Sequence, residues 1–202
     1  MRFATGCGLV MAALATCYAQ PDTPMAMDNA LAVYVVQMLQ GSEPYVAGAG
    51  VYLGKGLAIT ASHVAGANHP KVRLDGQDVP ARMIKGGSFD TIDLALFSID
   101  EDQLPRSYSL LGLPLCASPA PPGAPVILAA PQGITRARIV DPSNVSPATL
   151  SRYPTMIDDV ATPGKSGSGV FDAEKQCLLG ILSAKITNTA QHREIGTYFV
   201  SA

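Results

Sequence analysis

The chain has 202 residues, 48% hydrophobic and 15% charged, with a formal net charge of −2. So apolar and lightly charged a chain is not intrinsically disordered, and 14 basic against 16 acidic residues do not make the basic surface of a nucleic-acid binder. No run of about 18 apolar residues interrupts the body of the chain, so no integral membrane span is expected, and 19 Gly with 16 Pro exclude a long helical bundle.

The chain opens MRFATGCGLVMAALATCYAQ, with Arg2 as its one charge and an apolar run from about Gly6 to Ala15. Ala19 follows Cys17 and Tyr18 with small residues at both positions a signal peptidase reads. Residues 1–19 are therefore read as a secretory signal peptide cleaved after Ala19. A buried helix is a weaker reading, because nothing caps the segment and Pro21 follows at once. A lipoprotein would modify Cys17, where Thr16 fits poorly. The protein is thus expected to be exported, periplasmic or secreted. Cleavage removes Cys7 and Cys17 and leaves Cys116 and Cys177, a disulfide candidate in an oxidising compartment; two buried thiols are the alternative. Neither lies in a CxxC or beside a His, so no metal site is expected.

Short runs rich in Val, Ile, Leu, Ala and Tyr then recur between Gly, Pro, Asp and Asn. Strands are expected near Ala32–Leu39, Tyr45–Leu53, Gly56–Thr60, Lys71–Leu74, Val79–Ile84 and Leu94–Ile99. Asp75-Gly76 is a hairpin signal between the fourth and fifth. A second set is expected near Tyr108–Leu111, Pro125–Ala130, Ile134–Val140, Thr155–Asp158, Gly169–Phe171, Cys177–Ile186 and Gly196–Val200. Between the sets runs Gly112–Gly123, whose prolines can continue neither a ladder nor a helix. The pattern predicts an all-β chain in two similar halves, residues 20–112 and 113–202, with no long helix.

Three segments bear chemistry. Leu57 to Thr60 is an apolar strand running into a small-residue turn with His63. Asp93 leads the apolar strand from Leu94. Ser166 sits among glycines in Gly164-Lys-Ser-Gly-Ser-Gly169. Alone, each residue could be a core histidine, a turn residue or part of a flexible loop. Together they supply a base, an orienting acid and a nucleophile, with small neighbours that admit a carbonyl close to the Ser oxygen. A P-loop would need Gly where Asp159 stands, and the G-x-S-x-G elbow fails at Ser168. Asp90 is the rival acid, and Ser168 the rival nucleophile. His69 and His192 have no partner at a recognisable spacing.

The order His63, Asp93, Ser166, in T-A-S-H-V, D-L-A-L and G-K-S-G-S-G, resembles the signature blocks of the chymotrypsin/trypsin-like serine proteases. The His block is similar to the bacterial HtrA and glutamyl endopeptidase groups. The resemblance implies two six-stranded antiparallel Greek-key barrels with the site in the cleft between them, and a serine endopeptidase forming an acyl-enzyme on a peptide or protein substrate. It implies backbone N–H donors of Gly164 and Ser166 as the oxyanion hole. Val160 would floor the primary specificity pocket, and Ser183, Ala184 and Lys185 would form its wall. Val160 argues against a preference for Arg or Lys, although Asp158 and Asp159 are adjacent, and Lys185 would favour an acidic side chain. Lys165 stands where animal members carry an Asp that pairs with a freed N-terminus, so activity is expected after signal removal alone. No cofactor is implied, and the protein is expected to be a monomer. A protease-like binding protein without chemistry is the competing reading.

Overall fold

The computed structural model describes residues 29–41, 45–66, 70–188 and 193–202. The segment read as a signal peptide, His69 and His192 lie outside them. Strands β1 (Val35–Gln40), β2 (Tyr45–Gly54), β3 (Leu57–Thr60), β4 (Lys71–Leu74), β5 (Gln77–Gly86) and β6 (Ala95–Ile99) close into an antiparallel barrel of order β1-β2-β3-β6-β5-β4. The period-2 pattern turns alternate side chains inward: along β6, Ala95, Phe97 and Ile99 are buried, whereas Leu96 and Ser98 are half-buried. Asp75 and Gly76, at φ +46° and +77°, make the tight β4–β5 turn that the Asp-Gly pair signals.

The second half contains β7 (Pro125–Ala130), β8 (Gly133–Arg138), β9 (Met156–Ile157), β10 (Gly169–Asp172), β11 (Leu178–Asn188) and β12 (Arg193–Ser201). These form one curled sheet of order β8-β7-β10-β11-β12-β9. Its edges approach each other where Ile139 bridges Ile157 and where Asp158 N–H donates to the Arg138 carbonyl at 3.0 Å. The all-β, two-barrel expectation holds, with the second unit a half-barrel.

The connector is tied to both units. Gly112 bridges Gly54 of β2, while Leu115 bridges Leu178 of β11. Cys116 and Cys177 are disulfide-bonded, with Cα atoms 5.0 Å apart. The largest hydrophobic cluster runs from Met38, Tyr52, Leu74 and Phe97 of the barrel to Ile127, Phe171 and Ile181 of the second sheet. The two halves therefore share this cluster, while Val126, Leu128, Ile157, Leu182 and Phe199 form a second one within the second sheet.

Two local expectations are corrected. Tyr108–Leu111 is not a strand. Arg106–Ser109 form a helical turn after Pro105, whose carbonyl accepts Tyr108 N–H at 2.8 Å. Tyr108 is its buried residue and packs edge-on against Tyr52, centroids 5.4 Å apart. Leu110 of the same apolar run is 91% exposed, so half of the apparent strand signal was surface. The first strand also begins late, because Leu31–Tyr34 form a 3₁₀ turn before β1. Among the described residues the longest helix is Pro147–Arg152, six residues capped by Ser146.

Candidate active site

β3 ends at Thr60, and Ser62–Ala65 form one helical turn that carries His63 at the barrel rim. The loop before β6 carries Asp93, which is only 3% exposed. Four hydrogen bonds converge on its carboxylate. His63 Nδ1 lies 2.7 Å from Oδ2, and Ser183 Oγ donates to the same oxygen at 2.6 Å. Ser62 Oγ donates to Oδ1 at 2.6 Å and His63 backbone N–H at 3.0 Å. Burial would raise the Asp93 pKa, but the bonds from His63, Ser183 and Ser62 outweigh it and hold the carboxyl well below the usual carboxylate range. An ionised carboxylate only accepts, so Nδ1 of His63 must carry the hydrogen. The other ring nitrogen, Nε2, is then the basic one.

Ser166 lies in the second of two consecutive tight turns. Lys165 N–H donates to the Thr162 carbonyl at 3.2 Å, and Ser168 N–H donates to the Lys165 carbonyl at 3.0 Å. In the first turn Pro163 and Gly164 occupy the central positions, and Gly164 has φ +89°. In the second they are Ser166 and Gly167, and Gly167 has φ +88°. Pro followed by a residue of positive φ is the type II pattern, and glycine takes that conformation without strain. The Ser166 carbonyl accepts Ala49 N–H of β2 at 2.8 Å, and Thr60 Oγ1 donates to the Ala49 carbonyl at 2.5 Å. A side chain at Gly48 would collide with both Val64, next to His63, and the Ser166 carbonyl. Small residues in β2 thus let the Ser166 loop of the second unit lie against the His63 block of the first.

The other residues singled out in the sequence fall as follows. Asp90 is exposed in the turn after Phe89, whereas Asp93 holds the imidazole. Ser168 is fully buried, and its Oγ has no hydrogen-bond partner among the described residues, so a substrate carbonyl cannot reach it. Val160 is half-buried between Asp159 and Ala161. Asp158 accepts Arg138 N–H at 2.7 Å, and Asp159 pairs with Lys165 at 3.3 Å. Ser183 points its hydroxyl at Asp93, Ala184 is half-buried, and Lys185 is paired on the surface with Glu194.

Ser62, Phe89 and Thr60 are the contributors the sequence reading missed. Phe89 meets His63 edge-on, centroids 5.6 Å apart, while remaining 51% exposed. An aromatic in the polar turn Gly-Gly-Ser-Phe-Asp was the available signal for it. Nothing in the sequence marked Ser62 as a donor to Asp93.

Residues 48–181 match the family model of the trypsin-like peptidase domain. No curated protein matches the chain significantly. Among solved structures, the chain is similar to the Rv3671c protease from M. tuberculosis in its active form. The two share 19% identity over 91% of this chain and 84% of that one, with a TM-score of 0.66. The serine endoprotease from Yersinia pestis is 20% identical over 90% of this chain and 63% of its own, with a TM-score of 0.67. The HtrA-type protease AlgW with tripeptide is 22% identical over 90% and 60%, with a TM-score of 0.66. At these identities the structural likeness establishes the fold, and the family match covers the His63, Asp93 and Ser166 blocks together. The chain belongs to the trypsin-like peptidase family, as a serine endopeptidase.

Proposed function

We propose that this protein cleaves peptide bonds by acyl transfer through His63, Asp93 and Ser166, and that it acts outside the cytoplasm. The observation that carries this reading is the His63 Nδ1 to Asp93 bond at 2.7 Å, on a carboxylate kept ionised by three further donors. Ser166 Oγ attacks the scissile carbonyl as its proton passes to His63 Nε2. The oxyanion is held by the N–H groups of Gly164 and Ser166. Collapse breaks the C–N bond, and His63 returns the proton to the departing amine. Water, activated by the same imidazole, then hydrolyses the ester on Ser166. Asp93 fixes the tautomer and faces the imidazolium without taking its proton.

Primary specificity is read as neutral. Asp159 is engaged by Lys165, and Glu194 answers Lys185, so neither a lone acid nor a lone base serves the wall around Val160, Ser183 and Ala184. Export is supported by the sequence of residues 1–19 and by the Cys116–Cys177 disulfide, which persists in oxidising compartments. Digestion of an unfolded protein substrate tests the function. The wild type is expected to cleave it and Ser166→Ala to leave it intact; equal cleavage by both, or none by the wild type, overturns the reading.

A further inference from the structure

Lys165 occupies a singular place in the loop. It closes the turn that begins at Thr162 through its N–H, and it opens the turn that ends at Ser168 through its carbonyl. The turn before Ser166 and the turn that contains it therefore hinge on one residue. Its side chain is largely sheltered from solvent. Lys165 Nζ lies 3.3 Å from Asp159 Oδ2, with the two side chains 13% and 21% exposed. Asp159 is itself anchored, because Thr197 Oγ1 donates to its carbonyl at 2.6 Å and accepts Ala161 N–H at 2.9 Å. Thr197 is 1% exposed on β12. A continuous path thus runs from the rigid sheet through Thr197 and Asp159 to the ammonium of Lys165, and from there to both turns.

We propose that Lys165 is a positioning residue for catalysis, and that its ion pair with Asp159 sets the direction of the Gly164 N–H and the place of Ser166. The inference rests on the acyl-transfer reading above. A pair this sheltered is less screened than a surface pair, and loss of one partner strands the other charge in a partly buried site. The first turn then keeps the backbone bond from Lys165 N–H to Thr162 but loses the side-chain tie between its closing residue and Asp159. Glycine at position 164 can adopt other conformations, so the direction of its N–H depends on how firmly the closing residue of its turn is held.

The test compares wild type with Asp159→Asn, Lys165→Met, the double variant and Lys165→Arg in the full chain. Each is measured for kcat and KM on a peptide ester and for its thermal midpoint. The neutral double variant strands no charge, so it keeps the test valid if either single variant folds poorly. Wild type turns over the ester if the acyl-transfer reading is right; a wild type without turnover overturns that reading and this inference with it. Given an active wild type, both singles and the double are expected to lose at least about 10-fold in kcat. That is short of the ~10²–10³ lost with a whole oxyanion donor. KM should stay within a few-fold, the double should be no worse than the worse single, and Lys165→Arg should recover most of the rate. A double variant that folds with wild-type kcat, or single losses that multiply in the double, would overturn the inference alone.

Discussion

The site concentrates its polar capacity on one carboxylate. Four donors meet at Asp93, and the two that are not part of His63 are the hydroxyls of Ser62 and Ser183. Since the folded carboxyl has its pKa depressed below the ordinary value of ~3.9, its contribution to stability is complete above that value. It is lost only as the pH falls further, through the folded value. Acid unfolding of the wild type should therefore begin below pH ~4 as far as this group is concerned. Ser62→Ala removes one bond to a charged acceptor and should lower stability at pH 7 by about 1.5 kcal/mol. Denaturant melts at pH 7 and pH 3 check this: the folded carboxylate is still ionised at pH 3, so the difference between wild type and Ser62→Ala should persist there. Asp93→Asn should leave the protein folded but reduce kcat by about 10⁴, because the imidazole then sits in the wrong tautomer. Glu194→Gln should free Lys185 and speed cleavage after Glu relative to cleavage after Ala. A panel of peptides with Glu, Lys, Phe and Ala at the primary position reads this directly, and an unchanged Glu-to-Ala ratio contradicts the pairing argument. Spacing in the sequence pointed to His63, Asp93 and Ser166, but not to Ser62, since a Ser beside a His carries no signal until the backbone is placed.

At the scale of elements, the catalytic loop is built from turns whose chemistry is written in the sequence. Thr-Pro-Gly-Lys and Lys-Ser-Gly-Ser each put glycine where φ is positive. Gly167 has a second constraint, for a side chain there would strike the Ala49 carbonyl and Thr60 Oγ1. Gly167→Ala should cost at least about 1–3 kcal/mol from backbone strain and push the Ser166 loop away from β2. A thermal melt together with the residual rate checks both effects. The elements that escaped the sequence reading have a common cause. Tyr108–Leu111 is apolar enough for a strand, yet one buried Tyr and a proline-led turn decide its form, and a period cannot be read from four residues. By contrast, the alternation along β6 and the Asp75-Gly76 turn left little freedom.

For the whole molecule, one hydrophobic cluster spans both units, and the connector joins them through the Gly54–Gly112 and Leu115–Leu178 bridges. The Cys116–Cys177 disulfide closes a separation of 61 residues between the connector and the residue preceding β11. In the chain-entropy account a loop of that size stabilises by about 4 kcal/mol, so reduction, or the double change to Ser, should lower stability by about 2–4 kcal/mol. Denaturant titration with and without reductant measures it. The two-half organisation was visible in strand spacing and in the proline-rich connector. The failure of the second sheet to close was not, because it depends on β9 being only two residues long. The central claim is that Ser166, activated by His63 and Asp93, is the nucleophile. Labelling with a fluorophosphonate, followed by peptide mapping of the adduct, tests it most directly. The account predicts a single phosphonyl group on Ser166 of the folded wild type, and none on Ser166→Ala; an unlabelled wild type, or an adduct on Ser168, would contradict it.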